Sequence, residues 1–365
     1  PTLEYQTGSI RNDFDFGQLL LFRNDSFQQV VAQMNTDYRF AALYELRLSI
    51  SRLGKIVHIP ETLYTVQPTD LRLSGEKQFD YVDPANREVQ LEMEAVCTAH
   101  LQAIGAWLAP EFQRIDFGQE NFAREASVII PVRNRKRTIA EAVESALQQQ
   151  TDFSFNVIVV DNHSTDGTGQ ILTELSRRYP NLIHHIPAST ELGIGGCWTE
   201  AILLPECGKF AIQLDSDDLY KDCHVLQRIV DTFYQENCAM VIGSYQMVDF
   251  KLEEIPPGLI AHREWTPDNG RNNALRINGL GAPRAFYTPV LRQIKFPNVS
   301  YGEDYATALA ISRKYPIARI YDPLYLCRRW EENSDHDLDI QQLNNYNFYK
   351  DKIRTLEIQA RISGK

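Results

Sequence analysis

SVIIPVRNRKRTIAEAVESALQQQTDFSFNVIVVDNHSTDGT, Ser127 to Thr168, decides the fold. It begins inside the apolar, β-branched run ASVIIPV, which reads as a buried strand. Ile139, Val143 and Leu147 then recur four apart on one helical face. Thr138 followed by Glu141 has the T-x-x-E spacing of a capping box that starts the helix. FNVIVV is a second apolar run, DNHSTDGT a turn-rich loop, and GQILTELSRRY carries Ile171, Leu172 and Leu175 at helical spacing. NLIHHI and KFAIQL follow as third and fourth strands. Strand and helix in alternation predict a parallel sheet with right-handed crossovers, covered on both faces. Ligands gather at the carboxyl ends of such strands. Pro131 to Asn134, Asp161 and Asp215 all stand there.

Further on, HVLQRIVDTFYQE reads as an amphipathic helix, CAMVIGSYQMV as a strand, GEDYATALAISRKY as a helix and IARIY as a strand. Lys251 to Gly281 is rich in Pro, Gly and Asn and reads as a long working loop that holds the acceptor pocket. CRRWEENSDHDLD is a polar loop. The tail from Ile340 to Ile362 reads as a helix packed through Leu343, Tyr346, Tyr349, Ile353 and Leu356. Upstream, ISRLGKIVHIPETLYTVQ from Ile50 aligns without a gap over ISRKYPIARIYDPLYLCR from Ile311. With a shift of three more residues, LFRNDSF from Leu21 falls over AFYTPVL from Ala285. Residues 1 to about 75 are therefore expected to copy the later part of the main domain, with Ala42 and Leu43 where that domain has Glu303 and Asp304.

The 365 residues allow two domains or one enlarged α/β domain. Hydrophobic residues at 43% and charged ones at 23% are those of a globular chain. A net charge of −11 argues against general affinity for nucleic acid or anionic membrane, so membrane contact is at most peripheral, at the inner face. No apolar stretch approaches the roughly 20 residues of a membrane span. Six cysteines show no CxxC pair and no zinc spacing, which suits a reduced, cytoplasmic protein. The chain opens on Pro1, as an excerpt of a longer product would, and an oligomer is left open.

Asp215, Asp217 and Asp218 crowd the end of the fourth strand. Carboxylates this close repel unless a cation or hydrogen-bond donors offset them. Mg²⁺ or Mn²⁺, sharing a diphosphate's oxygens, would do so and would let an acidic protein hold a nucleotide. The alternative is that these acids only start the next helix, at the positive end of its dipole. Asp161 could accept a hydrogen bond from a nucleobase edge, and Pro131 with Arg133 could flank a base or meet a phosphate. Glu303 and Asp304 either begin a helix after Gly302 or stand at the cleft as acid and base.

In this order SVIIPVRNRKRTIAEAVESALQQQ, NVIVVDNHSTDGT, ELGIGGCWTEAI, FAIQLDSDDLY, GED and RRW resemble a family 2 glycosyltransferase of the GT-A fold, over about residues 126 to 335. The resemblance implies an α/β, Rossmann-like, mostly parallel central sheet with helices on both faces, plus an N-terminal α+β segment. Its implied divisions are 1–125 for the partial repeat and a helical linker, 126–340 for the catalytic domain, and 341–365 for a C-terminal helix. It implies an inverting, metal-dependent transfer of one sugar from a nucleotide diphosphate sugar, UDP-linked, to a hydroxyl of a glycan or lipid-linked acceptor in polysaccharide assembly. Pro131, Arg133 and Asp161 would line the nucleoside pocket, and Asp215 would reach the ribose or sugar. Asp217 and, later in the chain, His336 would bind Mn²⁺ or Mg²⁺. Asp304, beside Glu303, would be the general base. By the bidentate pairing of Arg with phosphate, Arg328 and Arg329 could clamp the diphosphate, or one of them could only neutralise Glu331 and Glu332. Asn162 stands where a second Asp is common, Trp198 where a small or basic residue is usual, and Leu326 replaces the Gln of the processive Q-x-x-R-W motif. Two other readings compete: a nucleotidyltransferase, which would carry a Gly-rich loop after the first strand, and a non-catalytic nucleotide-sugar-binding scaffold.

Overall fold

The computed structural model describes residues 2–65, 86–118, 120–330 and 339–364. Of these, the residues within 112–262 and 280–336 form one compact unit, and those within 1–111, 263–279 and 337–365 form another. The sequence boundaries at 125 and 340 fall close to this division, but a stretch inside the expected catalytic domain, Arg263–Gly279, belongs to the other unit.

In chain order, helices α1 (Asn24–Val31), α2 (Ala42–Ser51) and α3 (Arg87–Ala103) come first. The sheet then begins with β1 (Ala126–Val132), α4 (Ile139–Leu147), β2 (Phe155–Asp161), α5 (Thr168–Arg178), β3 (Leu182–His185), α6 (Ile194–Leu203) and β4 (Phe210–Gln213). β5 (Leu219–Tyr220), α7 (Val225–Glu236), β6 (Met240–Val248), β7 (Glu254–Ile260) and α8 (Gly270–Asn273) follow. β8 (Arg284–Tyr287), α9 (Thr288–Ile294), α10 (Glu303–Ser312), β9 (Ile317–Arg328) and α11 (Ile340–Ile362) complete the order.

The strands lie in the order β3-β2-β1-β4-β8-β6-β9-β5, with β7 alongside β6. β1 is parallel to β2 and to β4, and β2 is parallel to β3, as the alternating pattern requires. β8 runs antiparallel between β4 and β6, while β6 and β9 are parallel to each other. The sheet is thus mostly parallel, with short reversed strands added. Val128 to Ile130 and Val157 to Val160 are fully buried, as unbroken apolar runs must be when helices cover both faces. Phe210 of β4 stacks on Phe233 of α7 with ring centroids 4.3 Å apart. Trp198, unusual for the resembled family, is buried against Phe286 and Phe296 and serves packing.

Three sequence readings are corrected. α4 starts after Thr138 without a side-chain cap, because the Glu141 carboxylate instead meets the guanidinium of buried Arg328. Lys251–Gly281 is not a single working loop. β7 pairs with β6, its Pro256 and Pro257 tolerated on an edge strand, and Arg271 to Arg276 are buried. The IARIY strand extends to Arg328, seven residues beyond Tyr321.

In the unit that contains α11, that helix buries charge beside part of the expected face. Lys350, Asp351, Arg354, Glu357 and Arg361 are all buried, as is Ile353; Leu343, Tyr346 and Tyr349 are half-buried, and Leu356 is 57% exposed. Asp351 accepts from Arg11 at 3.2 Å, Arg354 at 2.9 Å and Ser9 at 3.1 Å. Arg354 also donates to the Ile277 carbonyl at 2.8 Å, and Arg361 to Glu357 at 2.8 Å and the Arg271 carbonyl at 2.9 Å. Gly8 touches the same helix: a Cβ there would lie 2.2 Å from the Asp351 carbonyl oxygen. α1 and α2 begin at Asn24 and Ala42, the residues that the repeat alignment lays over the first residues of α9 and α10. Residues 56–65, laid over β9, form no strand, and Val57 and Ile59 are exposed.

Because Asp351 is the shared acceptor of two buried guanidinium groups, Asp351→Ala removes the counter-charge of Arg354 and leaves Arg11 only Asp13, which is half exposed. The substitution should cost about 3–5 kcal/mol, read as a lowered denaturation midpoint.

Candidate active site

The loops after β1 and β2 are locked together at the carboxyl edge of the sheet. Val132 is in register with Asp161, and the Asn162 N–H donates to the Val132 carbonyl at 2.8 Å. Asn134 takes a left-handed backbone, φ 55°, its N–H on the Ser164 hydroxyl at 2.9 Å and its side-chain oxygen receiving the Thr165 N–H at 2.7 Å. Asp161 is buried. It accepts the Ser164 N–H at 2.9 Å through Oδ1 and meets His184 Nε2 at 3.3 Å through Oδ2. Burial would raise its carboxyl, but the bonds from His184 and Ser164 outweigh this and hold it below the usual range. Asp161 therefore braces the loop. The neighbouring Asn162 donates to the Leu192 carbonyl at 2.8 Å and keeps its side-chain oxygen buried with no hydrogen-bond partner. Sequence reasoning noted Asn162 only as a departure. Pro131 is half-buried at the end of β1, and Arg133 is exposed beside it.

The acid-rich loop after β4 is held in part by Gln213 and Tyr325, which the sequence did not single out. Gln213 donates to both Asp215 carboxylate oxygens at 2.9 and 3.0 Å, and the Tyr325 hydroxyl accepts the Asp215 N–H at 2.8 Å. Trp330 Nε1 donates to Asp217 Oδ2 at 3.0 Å, and Arg135 Nε lies 3.9 Å from the same oxygen. Asp218, fully within the fold, accepts the Arg328 N–H at 2.8 Å. Burial pushes the Asp215 carboxyl up, only partly offset by Arg284 and Gln213. Burial and repulsion from Asp217 and Asp215 push Asp218 well up. The loop is thus a place where negative charge is in excess.

Across β4, the backbone N–H of Arg284 donates to Gln213 Oε1 at 3.1 Å, and the Arg284 guanidinium pairs with Asp304 in the first turn of α10. Glu303 beside it is buried, and its Oε2 has no hydrogen-bond partner. Burial and repulsion from Asp304 push the Glu303 carboxyl up to about 8. The structure therefore joins Asp215 and Asp304, with seven elements between them in sequence, through Gln213 and Arg284.

A cationic and aromatic rim borders Asp217. Arg135 and Arg137 lie over the Trp330 ring at 5.7 and 5.3 Å, and Arg137 and Arg328 over Phe250 at 4.6 and 5.0 Å. Of the two expected diphosphate clamps, Arg328 is buried with its guanidinium on Glu141 and the Asp217 carbonyl. Arg329 is half-buried, its N–H on the Val248 carbonyl at 2.8 Å. His336 lies outside the described residues. Among the described residues, no three His, Cys, Asp or Glu side chains are grouped to hold a metal, and no helix is long and apolar enough to cross a membrane.

Residues 127–294 match the family described as Glycosyl transferase family 2. The chain is 32% identical over 123 residues to an uncharacterized glycosyltransferase of Nostoc sp., covering 34% of this chain and 37% of that protein. It is 24% identical over 230 residues to a poly(ribitol-phosphate) beta-glucosyltransferase of Bacillus spizizenii, covering 61% of this chain and 35% of the relative. A third relative is a putative teichuronic acid biosynthesis glycosyltransferase, TuaG of Bacillus subtilis, 26% identical over 195 residues, which are 53% of this chain and 74% of that one. The chain thus spans little more than a third of the first two relatives. Among solved structures, S. aureus TarS residues 1–349 in complex with UDP-GlcNAc shares the fold at a TM-score of 0.50 and 23% identity, over 65% of this chain and 72% of that one. Residues 127–294 thus resemble family 2 glycosyltransferases, on a chain with the GT-A fold.

Glu303 binds its proton more tightly folded, near 8, than at its ordinary value of 4.5. Between those values the folded state holds more protons than the unfolded one, so stability falls as pH rises. Glu303→Gln, which imitates the neutral acid, should flatten the loss of melting temperature between about pH 5 and pH 8.

Proposed function

We propose that the chain is an inverting glycosyltransferase that moves one sugar from a nucleotide diphosphate sugar, UDP-linked, to a hydroxyl of a glycan or lipid-linked acceptor in polysaccharide assembly. The observation that carries this reading is the continuous link Asp215–Gln213–Arg284–Asp304, which ties the acidic loop after β4 to the acid at the head of α10 along one sheet edge. Relatives named for poly(ribitol-phosphate) and teichuronic acid support the polysaccharide setting.

In this reading, Asp304 accepts the proton of the acceptor hydroxyl. The acceptor oxygen bonds to the anomeric carbon as the bond from that carbon to the diphosphate oxygen breaks, and the diphosphate leaves with the electron pair. The acid-crowded loop suits a hard divalent cation, whose shell the substrate's diphosphate oxygens would fill out. Asp217, with His336, would hold Mn²⁺ or Mg²⁺, and that ion would offset charge on the leaving diphosphate. Arg329, Arg133 and Pro131 would border the nucleotide, and Asp215 would meet the ribose or sugar. Asp161 would line the base pocket, with Asn162 beside it. Glu303 stands beside the base as a neutral hydrogen-bonding acid.

We also infer that residues 1 to about 75 are a partial copy of the acceptor-side half of this domain. The matched starts of α1 with α9 and of α2 with α10 support this. With Ala42 and Leu43 at the positions of the two acids, the copy has no base and binds no donor.

Calorimetry with UDP and Mn²⁺ should give one site per chain, weakened at least tenfold, roughly 1.4 kcal/mol, by a chelator, with GDP the poorer ligand. Absence of binding by either nucleotide would favour the scaffold reading. Asp304→Asn should lower both transfer and donor hydrolysis by about 10²–10⁴-fold while UDP affinity stays unchanged. Transfer near the wild-type rate would mean that Asp304 is not the base.

A further inference from the structure

Glu303 and Asp304 are adjacent in the first turn of α10, and sequence position alone gives neither an advantage as the base. Their surroundings separate them. β8 lies antiparallel to β4, which brings Arg284 to the carboxyl end of β4. Gln213 fixes it there: its Oε1 accepts the Arg284 N–H at 3.1 Å while its Nε2 donates to Asp215. From this anchored backbone the Arg284 guanidinium reaches Asp304. Glu303 makes no ion pair with that guanidinium, and its Oε2 is buried without a hydrogen-bond partner. One cation therefore serves two neighbouring acids, and the geometry gives it to one of them.

The other charged groups nearby do not alter this allocation. Asp215 and Glu303 act on Arg284 together with Asp304, and the Tyr325 hydroxyl is engaged by the Asp215 N–H. α9 and α6 pack against α10. On α9, Arg292 donates to the Ile202 and Leu204 carbonyls at 2.7 and 3.3 Å. On α6, Glu200 faces His185 at 3.5 Å, and burial pushes the Cys197 thiol up to about 11.

We propose that Arg284 is a positioning residue that selects the base: it holds Asp304 as the ionised carboxylate for the acceptor hydroxyl and leaves Glu303 as the neutral acid. This inference rests on the glycosyltransferase reading above. Arg284 has no direct part in bond making; it acts through Asp304. Its anchor on Gln213, which also grips Asp215, ties the setting of the base to the donor-side loop.

The test is a carboxyl titration of the full chain by ¹³C NMR with labelled Asp and Glu, the two signals assigned with Asp304→Asn and Glu303→Gln. In the wild type, Asp304 should ionise at lower pH than Glu303. In Arg284→Met its midpoint should rise by about one pH unit or more, because an opposite charge at contact is removed, and Arg284→Lys should restore most of the difference. A purely structural role would move neither midpoint. UDP binding with Mn²⁺ reports that the variant is folded, and Arg284→Gln is read in the same way should Arg284→Met fail that check. Glu303 ionising first in the wild type, or an unmoved Asp304 midpoint in a folded variant, overturns the proposal. Release of UDP from UDP-glucose and UDP-GlcNAc with Mn²⁺ separates the two layers of inference. A fully active Asp304→Asn chain removes the base assignment itself, whereas an inactive one with an unmoved Asp304 titration in Arg284→Met removes only the role of Arg284.

Discussion

The structure around the sheet's carboxyl edge is organised by repulsion between carboxylates. Asp215, Asp217 and Asp218 follow β4 within four positions, and Glu303 and Asp304 face them from α10. Left alone, such a set would protonate in part, since desolvation and like charge both favour the neutral acid. The fold answers with a different partner for each acid. Asp215 has the Gln213 amide, Asp217 the Trp330 indole, Asp218 a backbone N–H, and Asp304 a guanidinium. Glu303 has none of these for its buried oxygen. That uneven distribution gives neighbouring acids different protonation, the condition for one of them to act as a base while another stays neutral.

The unit that contains α11 handles buried charge differently. There Arg11, Asp351, Arg354, Glu357 and Arg361 neutralise one another, and the leftover donors reach backbone carbonyls of Arg271 and Ile277. Both acids are paired with arginines at hydrogen-bond distance, so the arrangement leaves no excess negative charge for a cation to offset. Removing one partner from such a network is costly, although a well-packed apolar core can be as stable. Excess acid in the loop after β4 and fully paired acids on α11 distinguish a candidate site from a structural ion network, even though both hold buried acids and arginines.

Much of the sheet was legible because its signal is local. Ala126–Val132, Phe155–Asp161 and the helix from Ile340 to Ile362 follow from apolar runs and periodicity over short windows. The readings that failed depended on partners distant in sequence. Glu141 has the spacing of a cap, but Arg328, far along the chain, draws it away. Pro- and Asn-rich composition from Lys251 suggested a loop, yet β6 supplies a pairing edge and Arg271–Arg276 are buried. On α11, Ile353 is buried as expected, but periodicity weighted toward apolar residues passes over the charged side chains buried beside it. Within the site, the acids could be read as a crowded cluster, whereas Gln213, Arg284 and Tyr325 could not: a Gln in a strand or an Arg at a strand start has no local mark of function.

The same logic accounts for the different hydrogen bonding of Asp161 and Asn162. A carboxylate at the end of a buried strand is the obvious acceptor for a base edge, but at this depth it needs donors of its own, and Ser164 and His184 fill both of its oxygens. An amide can meet the loop with its NH₂ group alone. Asn162 does this through the Leu192 carbonyl, and its oxygen stays buried and unpaired. The charged acceptor at Asp161 thus requires donors on both oxygens at this depth, whereas the neutral side chain beside it tolerates one unsatisfied oxygen.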